Sequence, residues 1–158
     1  GLVVYRLATA IREGMSALDA QKALLQWTQK ARQFVSVTSL KYMVRGGRVS
    51  PLKGAIAKVL NLKPIVSVDE NGKSILNGKA FSEEANFRKI LAMVSDIHEK
   101  APIMYYALGH ASAPQKAERL AKRLTDLVGF PPLYITEFSP VVALNSGPGA
   151  VSVVTMSR

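Results

Sequence analysis

The sequence contains no cysteine, which excludes disulfides, thiol catalysis and cysteine-based zinc or iron–sulfur sites. The two histidines, His98 and His110, lie too far apart in the sequence to indicate a metal site. No stretch approaches the ~18 to 20 apolar residues of a membrane-spanning helix, and the first residues lack the basic segment of an export signal. These absences predict a cytoplasmic protein with no resident metal or other cofactor.

Common catalytic signatures are absent as well. The sequence has no Walker loop, no dinucleotide fingerprint, no Gly-x-Ser-x-Gly elbow and no paired-carboxylate pattern of a catalytic site. Ser50 and Ser146 are nucleophiles by residue type, but no convincing base accompanies either of them. We therefore predict a binding protein without catalytic residues, not an enzyme.

Acidic residues are missing from residues 20–68, although the net charge of the whole chain is +10. This window should carry a positive potential that suits nucleic acid, an anionic membrane surface, a phosphorylated ligand or an acidic partner protein. It is equally typical of a solvated basic face whose counter-charges come from another domain or a partner. Few aromatic residues lie between the cations, so stacking on single strands is weakly supported. The basic residues of the window are Lys22, Lys30, Arg32, Lys41, Arg45, Arg48, Lys53, Lys58 and Lys63.

Length and hydrophobic pattern predict one α/β domain. At 158 residues and 48% hydrophobic content, the chain can bury a proper core. A strand, a helix and a strand after Pro102 predict parallel pairing, and Asn71-Gly72 predicts an antiparallel hairpin, so we expect a mixed sheet with helices packed on it. The predicted helices cover residues 2–11, 16–32, 52–60, 82–100 and 115–128, and the predicted strands cover residues 34–38, 63–68, 73–77, 102–108, 133–138 and 151–156.

A corner rich in glycine and arginine follows the first predicted strand. Residues 40–44 suit a short helix, which Gly46-Gly47 should end because glycine takes positive φ readily. Ser50-Pro51 should begin the next helix, so Arg48 lies between a helix end and a helix start. Free amides and a guanidinium at such a junction suit a carboxylate or phosphate. The alternative is a tight helix corner whose arginines face water.

Three segments resemble the DegV family in their order and spacing: residues 42–50 (YMVRGGRVS), 60–66 (LNLKPIV) and 147–150 (GPGA). The resemblance implies a bacterial fatty-acid-binding protein, and some members act as the lipid-presenting subunit of fatty acid kinase. It covers only the second half of such a protein. It therefore implies that residues 1–158 form the C-terminal lipid-binding domain, with the N-terminal domain and its Ser/Thr head-group ligands absent.

The resemblance also implies where the ligand binds, although this sequence departs from the family pattern at two positions. A His commonly stands at the position of Asn145, and an amide adds no charge at any pH, so head-group affinity should depend more on Arg48. An Arg that often follows the hairpin, near Phe81, is missing, and Lys79 is an imperfect substitute because it lacks a bidentate fork. His110 is polar lining in this interpretation, and a strand-end hydrogen-bonding residue in the alternative. The implied ligand-binding residues are Gly47, Arg48, Lys79, His110, Asn145, Ser146 and Gly147.

The function that follows is binding of a long-chain fatty acid and its presentation to a partner such as a kinase subunit. Family members hold the ligand between two domains, so one half alone should bind weakly. The basic face around Lys53 and Lys58 would meet the kinase subunit or an anionic membrane surface. Two alternatives stay open: a nucleic-acid or phosphate-ligand binding module using residues 20–68, with nucleic acid the less favoured partner, and the regulatory half of a kinase-like fusion, since the family occurs beside dihydroxyacetone-kinase-like domains.

Overall fold

The structure, a computed structural model, describes residues 1–49 and 62–158. Within these residues six strands form one sheet in the order β3-β2-β1-β6-β4-β5. The strands are β1 (Ala31–Ser36), β2 (Lys63–Val68), β3 (Ser74–Ala80), β4 (Ile103–His110), β5 (Ile135–Glu137) and β6 (Val151–Ser157). The helices of the described residues are α1 (Leu2–Arg12), α2 (Ala17–Lys30), α3 (Lys41–Arg45), α4 (Glu83–Lys100), α5 (Pro114–Val128) and α6 (Pro140–Ser146).

The sheet is mixed, as predicted. β4 and β5 are parallel, and α5 connects them, whereas the other neighbouring strands are antiparallel. The predicted hairpin joins β2 to β3. Its turn is held by the Asp69 carboxylate, which accepts from the amides of Asn71 at 2.9 Å and Lys73 at 2.8 Å, and by Gly72 at φ 76°. The α/β mixed-sheet prediction is therefore confirmed.

Helices cover the two faces of the sheet. Successive strand residues point to opposite faces, so Val153 packs under α4 and α5 while Val154 packs with α1 and α2. The main core lies on the first of these faces, where Phe87, Ile90 and Leu120 are fully buried. No helix of the described residues is long and apolar enough to cross a membrane.

Two predicted helix starts are confirmed, and one helix end is corrected. The Ser16 hydroxyl accepts from the Asp19 amide, and the Ser82 hydroxyl from the Ala85 amide, each at 3.1 Å. α2 ends at Lys30 and not at residue 32, because Ala31 and Arg32 pair with β6. In α2, Leu25 is 68% exposed although its residue type favours burial. Helical spacing puts it off the stripe that Ala20, Leu24 and Trp27 form.

The chain after α5 differs most from the prediction. The strand expected at residues 133–138 is confined to Ile135–Glu137, and a helix that the pattern did not predict, α6, follows it. The expected helix at residues 52–60 and its start at Ser50-Pro51 lie outside the described residues.

Candidate functional site

α3 is short, and its apolar side fixes it against the sheet. Leu40 and Met43 are buried beside Val66 of β2. The helix ends at Gly46, and Gly47 follows with φ 69°. The chain then folds back on the helix, since the Arg48 amide donates to the Met43 carbonyl at 2.8 Å. The predicted glycine helix end is confirmed, and it fixes the backbone from which the Arg48 side chain extends.

α6 ends in a second glycine bend. Pro140 lies in its first turn, and Gly147 and Gly149 follow its last residue with φ 78° and 79°. Asn145 and Ser146 lie outside every predicted helix, but they are the last residues of this one. Their side chains donate back to carbonyls one turn earlier, Asn145 to Val141 at 2.9 Å and Ser146 to Val142 at 3.0 Å. The proline and the glycine are the signals from which α6 is detectable in the sequence.

The ends of α3 and α6 interlock through two glycines. A Cβ on Gly46 would overlap the Asn145 amide, and a Cβ on Gly147 would overlap the Tyr42 ring. Each glycine therefore receives a side chain of the opposite helix, and the two backbones approach closely. Arg48, two residues beyond Gly46, is brought beside Asn145 by this contact.

The bend that follows α6, residues 147–149, is tied to the rest of the domain on several sides. The Gly149 amide donates to the Ala111 carbonyl at 2.8 Å, just beyond β4. The Thr38 hydroxyl donates to the Pro148 carbonyl at 3.2 Å, and the Lys116 ammonium of α5 donates to the Gly149 carbonyl at 2.9 Å. These bonds hold the end of α6 against the sheet.

Between α3 and α6 lies a cavity of about 270 Å³, which we call the α3–α6 cavity. Residues of β1 and β2 form its floor, and α6 and Phe138 contribute further apolar side chains. Arg48, Asn145 and Ser146 also line it. Its apolar lining among the described residues comprises Val35, Val37, Met43, Val66, Val68, Phe138, Val141 and Val142.

A second, larger cavity of about 750 Å³ adjoins it, between the end of α3 and β3; we call it the β3-side cavity. Gly47 and Arg48 line it on one side, and Lys73, Ile75 and Leu76 on the other. Arg48 is exposed and borders both cavities. A guanidinium at the edge of apolar cavities can bind the anionic end of an amphipathic molecule.

The structure brings together five of the seven predicted site residues. Arg48, Asn145 and Ser146 line the α3–α6 cavity, Gly47 lines the β3-side cavity, and Gly147 packs on Tyr42 beside them.

The other two lie elsewhere. His110 is buried at the end of β4, where its Nδ1 accepts from the Ala113 amide at 3.4 Å, as the strand-end alternative predicted. Lys79 is exposed on β3 opposite Pro64. Neither His110 nor Lys79 is among the residues that line the two cavities. Lys73, at the end of the hairpin turn, is the cation of this hairpin that lines a cavity. It was not among the predicted site residues. Its place directly after the hairpin turn was the available signal.

Comparison with known proteins adds the family. The model of the DegV family, described as one of uncharacterised proteins, matches residues 1–158. The chain belongs to the DegV family. A DegV domain-containing protein of Clostridium acetobutylicum is 29% identical over all of this chain, and one of Staphylococcus aureus is 23% identical. This DegV chain spans 56% of the length of each of these relatives.

Solved structures share the fold. A DegV family protein of Eubacterium eligens loaded with heptadecanoic acid matches 99% of this DegV chain over 56% of its own, with TM-score 0.89 and 20% identity. The fatty acid binding DegV family protein of Streptococcus agalactiae matches 100% of this DegV chain over 56% of its own length, with TM-score 0.84 and 26% identity. The fatty acid kinase (Fak) B3 protein of Streptococcus pneumoniae, loaded with linoleic acid, matches 99% of this DegV chain over 55% of its own length. Its TM-score is 0.87 and its identity is 17%.

Charge is distributed unevenly over the DegV chain. The ion pairs of the described residues lie on α4 and α5, and none joins Lys41, Arg45 or Arg48 to an acid. Residues 50–61 contain no Asp or Glu, so the sequence supplies no acid there either. No group of three His, Cys, Asp or Glu residues within the described ranges could hold a metal ion. The cations of the α3 corner are thus available to an external anion.

The glycine interlock predicts that Gly147→Ala destabilises the protein through overlap with Tyr42 as well as through its backbone. The backbone at φ 78° and ψ 163°, a region essentially confined to glycine, should cost ~1–3 kcal/mol, and overlap with the Tyr42 ring should add ~1–3 kcal/mol. The control is the same substitution made in Tyr42→Ala, where the backbone cost stays but the ring is gone, so the loss relative to that parent should be smaller. Urea unfolding measures both losses, and equal losses in the two parents would contradict the interlock.

Proposed function

We propose that this DegV chain binds a long-chain fatty acid, with the carboxylate at Arg48 and the acyl chain in the α3–α6 cavity. The observation that carries the proposal is an exposed guanidinium beside a cavity lined by valines. The fatty acids bound by the relatives from E. eligens and S. pneumoniae support the same ligand class.

The two ends of such a ligand contribute differently. Each buried methylene stabilises the complex by ~0.8 kcal/mol, whereas a charge-assisted hydrogen bond contributes ~1.5–3 kcal/mol net. Over a long acyl chain, tail burial therefore determines most of the affinity. The arginine determines which end of the molecule lies at the α3 corner.

At the head-group end, Arg48 has the main role. Its fork can donate two parallel bonds to a carboxylate. Asn145 already donates one amide hydrogen to the Val141 carbonyl, so it has one left for the ligand. Ser146 donates its hydroxyl hydrogen to Val142, and Gly47 and Gly147 permit the two bends. Support for His110 and Lys79 as ligand residues is lacking, since neither lines these cavities among the described residues.

We further propose that the protein presents the bound acyl chain to a kinase subunit and does not itself catalyse. The fold shared with the fatty acid kinase B3 protein supports this role. Lys53 and Lys58, which were expected to meet the kinase or an anionic membrane surface, lie outside the described residues, so both contacts stay predictions. The cytoplasmic location likewise stays a prediction.

The alternatives receive less support from the site. Binding to a nucleic-acid backbone requires clustered cations, but it does not require an apolar cavity next to them. Arg48 borders such a cavity, and this favours a lipid over nucleic acid or a simple phosphate ligand. The regulatory half of a kinase-like fusion stays an alternative that the site geometry does not address.

Arg48→Gln in the full-length gene product should weaken binding of heptadecanoic acid about 10- to 100-fold, because one charge-assisted contact is lost. Arg45→Gln is the matched control: Arg45 is an exposed arginine in the same corner, and it is not among the lining of either cavity. Calorimetric titration measures both. An affinity that drops equally in the two variants would reduce the role of Arg48 to general surface charge.

Val142→Trp should weaken binding of heptadecanoic acid about tenfold or more, because the larger ring takes the space of at least two methylenes. Leu144→Trp is the control, since Leu144 lies on the same helix but is 74% exposed and lines neither cavity among the described residues. Octanoic acid should be affected less than heptadecanoic acid. Insensitivity of the long acid to Val142→Trp would mean that the tail lies elsewhere.

The non-catalytic role predicts that purified full-length protein forms no acyl phosphate from fatty acid and ATP alone. Addition of a fatty acid kinase catalytic subunit should start the reaction, and Arg48→Gln should slow it. Hydroxamate trapping of the acyl phosphate provides the measurement. Product formed without the added subunit would identify the protein as an enzyme.

A further inference from the structure

Lys116 is a lysine in an unusual environment. It lies in the first turn of α5, and its side chain is only 13% exposed. Its ammonium donates to the Gly149 carbonyl at 2.9 Å, lies 3.6 Å from the Glu83 carboxylate and lies 5.8 Å from the centre of the Phe87 ring. Most lysines extend their ammonium into solvent, whereas this one ends on a backbone carbonyl.

A role limited to packing or ion pairing explains Lys116 poorly. Burial lowers the pKa of Lys116, and the nearby cations Lys63 and Arg119 lower it further, although Glu83 acts in the opposite direction. Burial therefore disfavours the charged form, and pairing with Glu83 does not account for the hydrogen bond to the Gly149 carbonyl. Nor does Glu83 need Lys116 as its partner, because Arg119 also pairs with it.

The group that Lys116 contacts belongs to the candidate site. Gly149 is the last residue of the bend at residues 147–149, through which α6 connects to β6. From the side of β1, the Thr38 hydroxyl holds the Pro148 carbonyl, and Tyr42 covers Gly147. Lys116 approaches the same bend from α5. The bend is thus held from both sides, and α6 with Asn145 is attached directly to it.

We propose that Lys116 is a positioning residue for the head-group site: its bond to the Gly149 carbonyl holds the bend so that Asn145 stays against Gly46, beside Arg48. This inference rests on the proposed function for its ligand, but the hold on the bend is a property of the protein alone. Lys116 does not line either cavity among the described residues, so its effect on the ligand is exerted through the bend.

The test compares Lys116→Met with Lys122→Met in the full-length protein. Methionine keeps most of the apolar volume but has no donor, and Lys122 is an exposed lysine of the same helix. Amide hydrogen exchange of Gly147, Gly149 and Ala150 is measured without ligand, and heptadecanoic acid is then titrated. In Lys116→Met, exchange in the bend should accelerate and affinity should fall, each about tenfold. Lys122→Met should match the wild type in both.

A second variant separates positioning from general destabilisation. Lys116→Arg keeps a charged donor, so it should retain slow bend exchange and most of the affinity. The melting temperature of Lys116→Met should stay within about 4 °C of the wild type, since α5 keeps its buried apolar contacts and the ion pairs of Arg119 and Arg123. If Lys116→Met does not fold, Lys116→Gln, whose shorter amide falls short of Gly149, is assessed by the same two measurements.

The outcomes are distinguishable. Unchanged bend exchange in Lys116→Met would overturn the proposal, and so would faster exchange with unchanged affinity. A wild-type protein that takes up no fatty acid would instead overturn the proposed function. In that case the exchange data alone would still decide whether Lys116 holds the bend.

Discussion

The site depends on the close approach of α3 and α6, which two glycines permit. Gly46 leaves room for the Asn145 amide, and Gly147 leaves room for the Tyr42 ring. Both helices are short, so the close contact between their backbones is what fixes the two helix ends relative to each other. Short helices gain little stability from their own hydrogen bonds, so tertiary packing determines where they lie.

That approach produces a site with two unlike ends. Beside the interlock, valines of β1, β2 and α6 line the α3–α6 cavity. Arg48 stands at its edge because the chain folds back onto Met43 directly after the glycines. A cation and an apolar cavity so arranged suit an amphipathic anion better than a uniformly charged one. Lys116 and Thr38 donate hydrogen bonds to carbonyls of the bend at residues 147–149, which directly follows Asn145 and Ser146.

Much of the fold could be predicted from local patterns. The β2–β3 hairpin, the helix starts at Ser16 and Ser82 and the glycine end of α3 each depend on a few adjacent residues, and these were found as expected. The end of α2 and the existence of α6 were not predicted, because local signals compete in both segments. Ala31 and Arg32 extend a helical pattern, but pairing with β6 takes them into the sheet. Residues 140–146 contain two adjacent valines, which alone favour a strand.

For the candidate site, the sequence by itself determined the chemistry: an acid-free basic segment, a glycine-arginine corner, a second glycine bend and the likeness to the DegV family. Only the tertiary structure decided which of these residues meet. It places Arg48, Asn145 and Ser146 around one cavity and leaves His110 and Lys79 outside both cavities. It also shows that Lys73 lines a cavity and that Lys116 contacts the bend after α6. The physical reason is that helix and turn signals act over a few residues, whereas a site requires contacts between segments about a hundred residues apart, and the sheet order sets those contacts.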